Sequence, residues 1–581
     1  MLKQENEKRK DRKKMAGKIV QNIKKEWKNP KLWLGLIFMI GTLARLLFLD
    51  KSPMGLHQDE AYSAYNSWAV LKYGVDSYGY TRPVYYTVWG SGMSVLYSYL
   101  TMPLFALFGI STWTIRLPQA ILGCISILAV YELGKELFSE KTGLAFAAFL
   151  AINPWHIQQS RFGLDANLAV PMLLFAVLFL CRYLNGKRKS IWGAALFFGL
   201  TLYCYALTWG LVPVMIVLCL LLYRKRFCFD RSLLGAGILL FLLALPLMLF
   251  LAVNFGWIPE IRTALGSIPK LQAMRTGEMG LSLSAFKRRF LWMLAMLWAQ
   301  HDDIWWISNE AVGSYYYVTT PFILIGLLYH LVVFVQWIFR KRKLPLHSIL
   351  AVWFVLAFLM GCNIDTAKYY KVNFIHIPII LYGALGIRCV LILAGKLTER
   401  LTQSQEEKAM QNPEVEPAQK QKTRQAQKQT KKNTARQVQA LIVCLCCVLY
   451  IGCFGYYLYS QASFGVNYEN YGYSLLSHMH WYRYDEAIDR AEELTDGSIG
   501  ILNLNYANVM LYKKIPPREY LDTVVYSEGE LAFRTVLSIG RYHFDFSPGE
   551  ETRDVVFIYP YNAESYFTEA GFTTEHVTEC Y

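Results

Sequence analysis

Long apolar runs recur along the chain, and they constrain its fold more than any other feature. Segments such as 233–253 and 438–459 reach the roughly 20 residues that a helix needs to cross a bilayer. The composition agrees, because 54% of the 581 residues are hydrophobic and 15% are aromatic. Such values are unusual for a soluble protein of this length. The sequence therefore predicts a mainly α-helical protein that crosses a membrane many times.

Basic residues predict the orientation of the spans. The net charge is +16, and the basic residues cluster in short segments beside apolar runs. Such clusters face the cytosol in membrane proteins, which predicts a multi-pass protein of the cell membrane with a cytosolic N-terminus and an extracytoplasmic C-terminus. Because topology accounts for the charge, no nucleic-acid partner is expected. The clusters are Lys8–Lys14, Lys187–Lys189, Arg224–Arg226 and Arg340–Lys343.

Placing helices between these clusters gives eleven predicted spans. One further apolar segment, 93–109, would break the alternation of sides, so it is expected to lie at the outer interface or to re-enter the membrane. The eleven spans are 32–50, 116–138, 143–160, 167–184, 191–207, 209–223, 233–253, 320–339, 346–362, 374–395 and 438–459.

The spans divide the chain into a basic cytosolic arm (1–31), a transmembrane domain (32–395), a linker (396–437), a final span (438–459) and a C-terminal domain (460–581). The linker is rich in Gln, Lys and Glu and lacks apolar periodicity, which predicts a disordered cytosolic segment. The transmembrane domain has three predicted outer loops, 51–115, 254–319 and 363–373.

The C-terminal residues 460–581 have the pattern of a small extracytoplasmic α/β domain. Short β-branched and aromatic runs predict strands, and two segments with helical periodicity flank them. The predicted strands are 499–504, 535–539 and 555–559, and the predicted helices are 484–494 and 563–570.

Charged residues gather on the predicted outer face. Asp59 and Glu60 follow the first span, and Arg116 opens a later one. Arg161 and Asp165 lie between two further spans. Ionised groups beside hydrocarbon are costly and usually functional, and this mixture of signs suits a site that holds an anionic head group and moves a proton. Ion pairs between helix ends are the alternative for each residue taken singly.

Several short motifs keep a fixed order relative to the spans, and this order resembles that of a known family. The motifs are Asp59-Glu60-Ala61-Tyr62, Pro83-Val84-Tyr85, Leu107-Phe108-Gly109, Arg116-Leu117-Pro118, Asn153-Pro154 followed by Arg161 and Asp165, and Lys368-Tyr369-Tyr370-Lys371 before Pro378 and Gly386. Over its first 390 residues the chain resembles GT-C glycosyltransferases, in particular glycosyltransferase family 39 and its bacterial relatives, which include protein O-mannosyltransferases and lipid A aminoarabinose transferases.

The resemblance implies a GT-C fold and a sugar donor carried on a polyprenyl phosphate. The acceptor would be a lipid, a cell-wall glycan or a protein on the extracytoplasmic side. Asp59 matches the acidic position that acts as general base, with Glu60 beside it, and Asp165 is assigned to acceptor or sugar contacts. The donor phosphate is assigned to Arg116, Arg161, Arg82 and Lys371, and further substrate contacts to Tyr62, Tyr369 and Tyr370.

No metal or other cofactor is expected to be required. His301, Asp302 and Asp303 are weak candidates for a divalent metal, because this short run supplies fewer ligands than a structural zinc site needs. Solvated acidic residues of a loop are the simpler interpretation.

Two other classes of protein compete with the enzyme. A transporter or flippase would place ionisable groups near the bilayer midplane in repeated halves, but the spans contain little charge besides Arg45 and Glu132, and no repeat is visible. A membrane-anchored sensor would work through residues 461–581, which contain no recognisable nucleophile or phosphate-binding loop.

Overall fold

The computed structural model shows a mainly helical protein with a small β-sheet near its C-terminus. Most of the predicted cytosolic arm 1–31 lies outside the described residues. The structure describes residues 29–53, 55–88, 90–274, 282–302, 310–340, 342–365, 367–409, 417–464, 483–529, 534–560 and 563–577.

The described residues between 29 and 464 form mainly helices, with two short antiparallel hairpins among them. The hairpins are β1 (Tyr86–Val88) with β2 (Ser91–Met93), and β3 (Ile261–Arg262) with β4 (Ser267–Ile268). The helices are α1 (Pro30–Leu46), α2 (Gln58–Tyr73), α3 (Leu96–Phe108), α4 (Thr112–Leu137), α5 (Glu140–Ala151), α6 (Pro154–Gln159), α7 (Asp165–Leu184), α8 (Ser190–Thr201), α9 (Thr208–Leu222), α10 (Arg231–Asn254), α11 (Leu283–Ala299), α12 (Thr320–Arg340), α13 (Ile349–Cys362), α14 (His376–Ala409) and α15 (Pro417–Phe464).

Six helical segments among the described residues are long and apolar enough to cross a membrane, which confirms the multi-pass prediction. The predicted count of eleven is not confirmed, because α8, α9 and α13 are apolar but shorter, α1 has 17 residues, and the predicted span 143–160 is divided between α5 and α6. The six segments are Thr112–Leu137, Asp165–Leu184, Arg231–Asn254, Tyr317–Arg340, Asn373–Leu401 and Asn433–Ser460.

The predicted span 143–160 is two helices rather than one. The chain leaves α5 after Ala151 and starts α6 at Pro154. Asn153 caps the new helix by accepting a hydrogen bond from the backbone N–H of His156 at 2.9 Å. Proline suits the first turn of a helix because its missing N–H needs no partner there. The Asn-Pro pair therefore ends one helix and starts the next, near the predicted outer face.

Helix α2 lies in the first outer segment and is enclosed by protein. The sequence predicts an interfacial helix from the spacing of Tyr62, Tyr65, Asn66 and Ala69, but every residue of 60–70 is buried. Helix α2 is therefore present as predicted, but its burial does not agree with a position at the membrane interface. Its mixed polar and aromatic surface is covered by α3 and by the C-terminal residues described below.

Residues 396–437 are helical where the structure describes them, which corrects the prediction of a disordered linker. Helix α14 continues to Ala409, and α15 begins at Pro417. Gln, Lys, Glu and Ala have high helix propensity, so a polar segment that joins two apolar helices can extend both of them without any apolar periodicity of its own. Its cytosolic location stays a prediction.

The C-terminal residues 483–577 form a five-stranded mixed sheet with helices packed around it. Its strand order is β6-β7-β8-β5-β9, in which β5 runs parallel to both β8 and β9. The predicted strands and both predicted helices are present within one to three residues at each end, and the extracytoplasmic location stays a prediction. The elements are α16 (Tyr484–Leu494), β5 (Ile499–Ile501), α17 (Tyr506–Lys513), α18 (Pro517–Thr523), β6 (Val524–Tyr526), β7 (Val536–Ile539), β8 (Tyr542–His543), β9 (Val556–Ile558) and α19 (Glu564–Glu569).

Candidate functional site

A buried ion pair lies at the centre of the predicted charged set. Arg116 near the start of α4 binds Glu60 near the start of α2 through two hydrogen bonds, Nε to Oε1 at 2.9 Å and Nη2 to Oε2 at 3.0 Å. Both side chains have no exposed surface. Such a forked pair satisfies the charge and the geometry of both groups.

Glu60 accepts two further hydrogen bonds, and these fix the start of its helix. The backbone N–H of His57 donates to Oε2 at 3.1 Å, which forms a capping box at the N-terminus of α2. The N–H of Gly163 donates to Oε1 at 2.7 Å. Glu60 therefore ties α2 to α4 and to the turn before α7, and its carboxylate is fully engaged.

The remaining N–H groups of Arg116 bind the loop between α1 and α2. They donate to the carbonyl oxygens of Leu49, Pro53 and Gly55 at 2.5–3.3 Å. With the two bonds to Glu60, all five N–H donors of the guanidinium are used. A donor phosphate could reach this side chain only by breaking bonds that hold the loop.

Arg161 has the same kind of environment and is 8% exposed. Its five N–H donors bind five carbonyl oxygens, those of Ala44, Arg45, Leu47, Phe48 and Ser52, at 2.8–3.2 Å. The last carbonyl groups of a helix have no partner within it, so Arg161 completes the C-terminus of α1. This geometry argues for a structural role rather than the predicted contact with phosphate.

Asp59 differs from its neighbour Glu60 because its side chain is 29% exposed. It occupies the first turn of α2, where the helix dipole favours a negative charge. The imidazole of His57 lies beside it, with Nδ1 3.7 Å from Oδ2. Within the acidic pair, Asp59 is the carboxylate that a substrate can approach.

Asp165 opens α7 and is half-buried. Its Oδ2 accepts a hydrogen bond from the N–H of Ser94 at 3.2 Å, and its Oδ1 accepts one from Ala166 at 2.6 Å. Because Gly163 binds Glu60, the structure brings Asp165 into the same cluster as the acidic pair. The role of Asp165 in a site stays a prediction.

Buried polar atoms without a hydrogen-bond partner among the described residues surround the next turn of α7. Asn167 accepts from Gln119 and from Asn373, which links α4, α7 and the third outer loop. Polar atoms of Ser94, Gln119, Gln159 and Asn373 are left unpaired within these residues. Unpaired buried polar groups are costly, and these atoms are free to hydrogen-bond water or a polar ligand. Sequence reasoning missed them because uncharged amides inside helices give no signal of their own.

The predicted tyrosine contacts are less accessible than expected. Tyr62 is fully buried, and its hydroxyl is 2.9 Å from the Ser77 hydroxyl. Tyr369 is also buried, donates to the carbonyl of Met296 and stacks on His376 with ring centroids 4.7 Å apart. Tyr370 is partly buried. Tyr62 and Tyr369 pack in the interior and hydrogen-bond other protein groups, so the geometry does not support their predicted contacts with substrate.

Of the predicted phosphate ligands, Arg82 and Lys371 lie in outer loops and keep surface exposure. Lys371 is two residues from Asn373, which hydrogen-bonds Asn167 at 2.7 Å. The predicted third outer loop, which contains Lys371, therefore contacts the first turn of α7 through Asn373. Arg82 lies in the loop before the β1–β2 hairpin, with a positive φ of 38°.

Helix α11 adds basic residues to the same outer loop, and the sequence analysis did not single them out. Arg288 and Arg289 lie 3.7 and 3.2 Å from the carboxylate of Asp365. Lys368 lies over the ring of Trp292, 5.6 Å from its centroid. We call Arg288, Arg289, Lys368 and Lys371 the outer basic cluster. A sequence signal did exist, because Lys287-Arg288-Arg289 is a basic run outside the predicted cytosolic segments.

The weak metal candidates do not assemble into a site where the structure describes them. Asp302 is buried and accepts a hydrogen bond from the N–H of Tyr369 at 2.8 Å. His301 lies 3.6 Å from Glu310, and Asp303 lies outside the described residues. Among the residues searched, no group of three or more potential ligands could hold a metal ion.

Residues 93–250 match a family model described as dolichyl-phosphate-mannose-protein mannosyltransferase. Over this segment, the chain is similar to that family. The glycosyltransferase resemblance predicted from the sequence is confirmed there. The matched segment contains Arg116, Arg161 and Asp165, whereas Asp59 and Glu60 precede it.

Solved glycosyltransferase structures are also similar to the chain. ArnT from Cupriavidus metallidurans, in its apo state, is 14% identical with a TM-score of 0.47, over 83% of this chain and 84% of that chain. ArnT bound to undecaprenyl phosphate gives the same identity and TM-score, over 83% and 85%. The Archaeoglobus fulgidus oligosaccharyltransferase is 13% identical with a TM-score of 0.46, over 83% and 63%. These are similarities only, because each TM-score is below 0.5. No curated protein matches the chain.

Proposed function

We propose that the protein transfers a sugar from a polyprenyl-phosphate donor to an acceptor hydroxyl on the extracytoplasmic face of the membrane. The family of residues 93–250 is named for a lipid-phosphate sugar donor, which supports the donor class. The observation that carries the proposal is the different burial of the two adjacent carboxylates. Glu60 is neutralised by Arg116 in the interior, while Asp59 one residue earlier is accessible.

Asp59 is proposed as the general base that takes the proton from the acceptor hydroxyl. General base catalysis requires a group within hydrogen-bond reach of that proton, and Asp59 is the partly exposed carboxylate on a helix start that Glu60 holds rigid. Asp165 and the unpaired amides near Asn167 supply polar contacts for sugar hydroxyl groups. Direct displacement at the anomeric carbon breaks its bond to the phosphate oxygen and inverts its configuration.

The phosphate of the donor is assigned to Arg82 and to the exposed or partly exposed members of the outer basic cluster, Arg288, Lys368 and Lys371, rather than to the buried Arg116, Arg161 and Arg289. A departing phosphate needs cationic groups to absorb its charge. All N–H donors of Arg116 and Arg161 form hydrogen bonds within the protein. Lys371 instead lies on the loop that contacts the start of α7. The isoprenoid chain would lie among the apolar helices, with its head group at the outer face.

The charged residues within the spans favour the enzyme over a transporter. Arg45 donates to the carbonyl oxygens of Gly41, Leu150 and Ala151, and Glu132 pairs with Arg182 at 2.7 Å. Both groups join helices and have structural partners. A transport pathway would instead need ionisable groups that line a cavity.

The decisive experiment compares Asp59→Asn with Glu60→Gln in the purified protein, using a radiolabelled polyprenyl-phosphate sugar. Asp59→Asn should lower transfer by about 10²–10⁴-fold, the usual contribution of a general base, at an unchanged melting temperature. Glu60→Gln should instead lower stability by roughly 3–5 kcal/mol, because it leaves a buried arginine unpaired. Thermal unfolding in detergent measures the second effect. Normal transfer by Asp59→Asn would refute the assignment of the base.

A further inference from the structure

We propose that the C-terminal sheet unit (483–577) is a clamp that fixes the segment leading into the acidic pair. The clamp acts on residues 56–58, the last residues before Asp59. Asn505 and Asn508 are then positioning residues, which act on catalysis through the backbone of the α1–α2 loop. The effect on transfer rests on the proposed function, whereas the clamp itself does not.

Two amide side chains make the polar part of the clamp. Asn508 on α17 is fully buried, and its Nδ2 donates to the carbonyl oxygen of Leu56 at 3.1 Å. Asn505 caps the same helix with its oxygen and donates from Nδ2 to the side chain of Gln58 at 2.9 Å. These two bonds hold the loop on either side of His57, whose backbone N–H binds Glu60.

Aromatic residues make the second part of the clamp. Tyr62 meets Tyr506 edge to face, with ring centroids 6.1 Å apart. The hydroxyl of Tyr65 donates to the carbonyl oxygen of Ile515 at 2.7 Å. Leu56, Tyr62 and Tyr65 share one hydrophobic core with Val509 and Met510 of α17. The C-terminal unit therefore shares one hydrophobic core with α2 and packs against it directly.

The loop is held from two sides, and the C-terminal unit supplies one of them. Arg116 and Arg161 bind the carbonyl oxygens of Ser52, Pro53 and Gly55 from the membrane helices. Asn508 of the C-terminal unit donates to the carbonyl oxygen of the following residue, Leu56. Because the loop has no regular structure of its own, its path into α2 depends on both sets of bonds. Undocking the unit would free residues 55–58 and with them the orientation of the Asp59 carboxylate.

The test is hydrogen–deuterium exchange of the full-length protein combined with steady-state kinetics. Asn505→Asp and Asn508→Asp each remove one clamp donor. Asn505→Asp keeps the oxygen that caps α17, and Asn505 is only partly buried, so this variant is expected to fold. Arg490→Ala is the matched control, because Arg490 pairs with Glu493 and Glu575 on the surface of the same unit. The peptide covering residues 55–62 is the readout that needs no substrate.

Both clamp variants should raise the exchange rate of that peptide tenfold or more, and the control should not. Their kcat should fall at least tenfold while KM for the lipid-linked donor stays within twofold. Unchanged exchange in both clamp variants would overturn the proposal, and so would a change confined to KM, which would indicate direct substrate contact. If the wild-type protein transfers no sugar, the proposed function fails, and the exchange rates alone decide for or against the clamp.

Discussion

At the scale of single residues, burial decides which of two similar side chains is available for chemistry. Asp59 and Glu60 are adjacent carboxylates, yet Glu60 has no exposed surface and binds Arg116, whereas Asp59 retains 29% exposure. One residue of difference along a helix is a rotation of about 100°. The first carboxylate therefore faces a possible substrate while the second faces the protein interior.

Asp76 is a buried carboxylate outside the predicted spans, and it predicts a pH dependence of stability. Its Oδ1 accepts hydrogen bonds from the N–H groups of Tyr78 and Tyr80, while Oδ2 has no partner within the described residues. Burial raises the pKa of Asp76 from 3.8 to about 7, against the opposing effect of those backbone bonds. The folded state therefore binds a proton that the unfolded state has lost at intermediate pH.

This contribution is present below about pH 4 and is lost as the pH rises through about 7. Asp76→Asn keeps the acceptor for both tyrosine N–H groups and cannot ionise. We expect it to raise stability at pH 8 by up to ~4 kcal/mol, at about 1.4 kcal/mol per pKa unit, and to be nearly neutral only below about pH 4. Melting temperatures across that range measure the effect, with the exposed Asp496→Asn as control. Parallel pH curves for the wild type and Asp76→Asn would contradict it.

At the scale of elements, helix ends rather than helix interiors organise the site. Helix α1 ends in carbonyl groups bound by Arg161, α2 starts in a capping box, and α6 starts at an Asn-Pro cap. The start of α2 is bound to the turn before α7 through Glu60 and Gly163, and Asp165 at the start of α7 accepts a hydrogen bond from Ser94. The charged residues identified in the sequence are mostly the connections between such ends.

Arg161→Lys should destabilise the protein, because an ammonium group has three donors and cannot replace a five-donor fork. Two or more carbonyl groups at the end of α1 would lose their partner, at roughly 1–3 kcal/mol for each buried unsatisfied group. The melting temperature in detergent should fall, while KM for the donor should not change in the protein that remains folded. Arg188→Lys, at an exposed pair with Asp230, is the control. A raised KM at unchanged stability would restore the predicted phosphate contact.

The positions of most elements could be predicted from the sequence, and their contacts could not. Hydropathy located the long helices, and the strand pattern located β5, β7 and β9. The polar composition of residues 396–437 predicts disorder, but Gln, Lys and Glu also favour helix, and the described residues of this segment are helical. Within the site, charge drew attention to Arg116 and Arg161, but only the geometry shows that carbonyl oxygens use their donors. The amides near Asn167 carry no charge and gave no signal.

At the scale of the whole molecule, contacts between distant parts of the chain constrain the topology. The C-terminal unit touches residues 56–78, since Asn508 binds Leu56 and Tyr78 lies 3.3 Å from Tyr526 through their hydroxyl groups. The unit and the acidic pair must therefore be on one side of the membrane. The basic turn after α9, residues 224–226, is predicted to be on the other.

Cysteine labelling in intact cells tests this arrangement. Asp496→Cys in the C-terminal unit and Trp257→Cys after α10 should react with an impermeant maleimide added outside. Lys225→Cys should react only after the cells are opened. All three side chains are exposed, and the unsubstituted protein sets the background from its own cysteines. Outside labelling of Lys225→Cys with protection of Asp496→Cys would reverse the assigned orientation.

The two arginines that bind the α1–α2 loop recognise main-chain oxygens and ignore the side chains attached to them. The identity of residues such as Lys51 and Ser52 is thus largely free, provided that the backbone keeps its path. An unnatural amino acid or a small fluorophore could be introduced at Lys51, which is exposed, to report on donor arrival without disturbing the chemistry a few residues away.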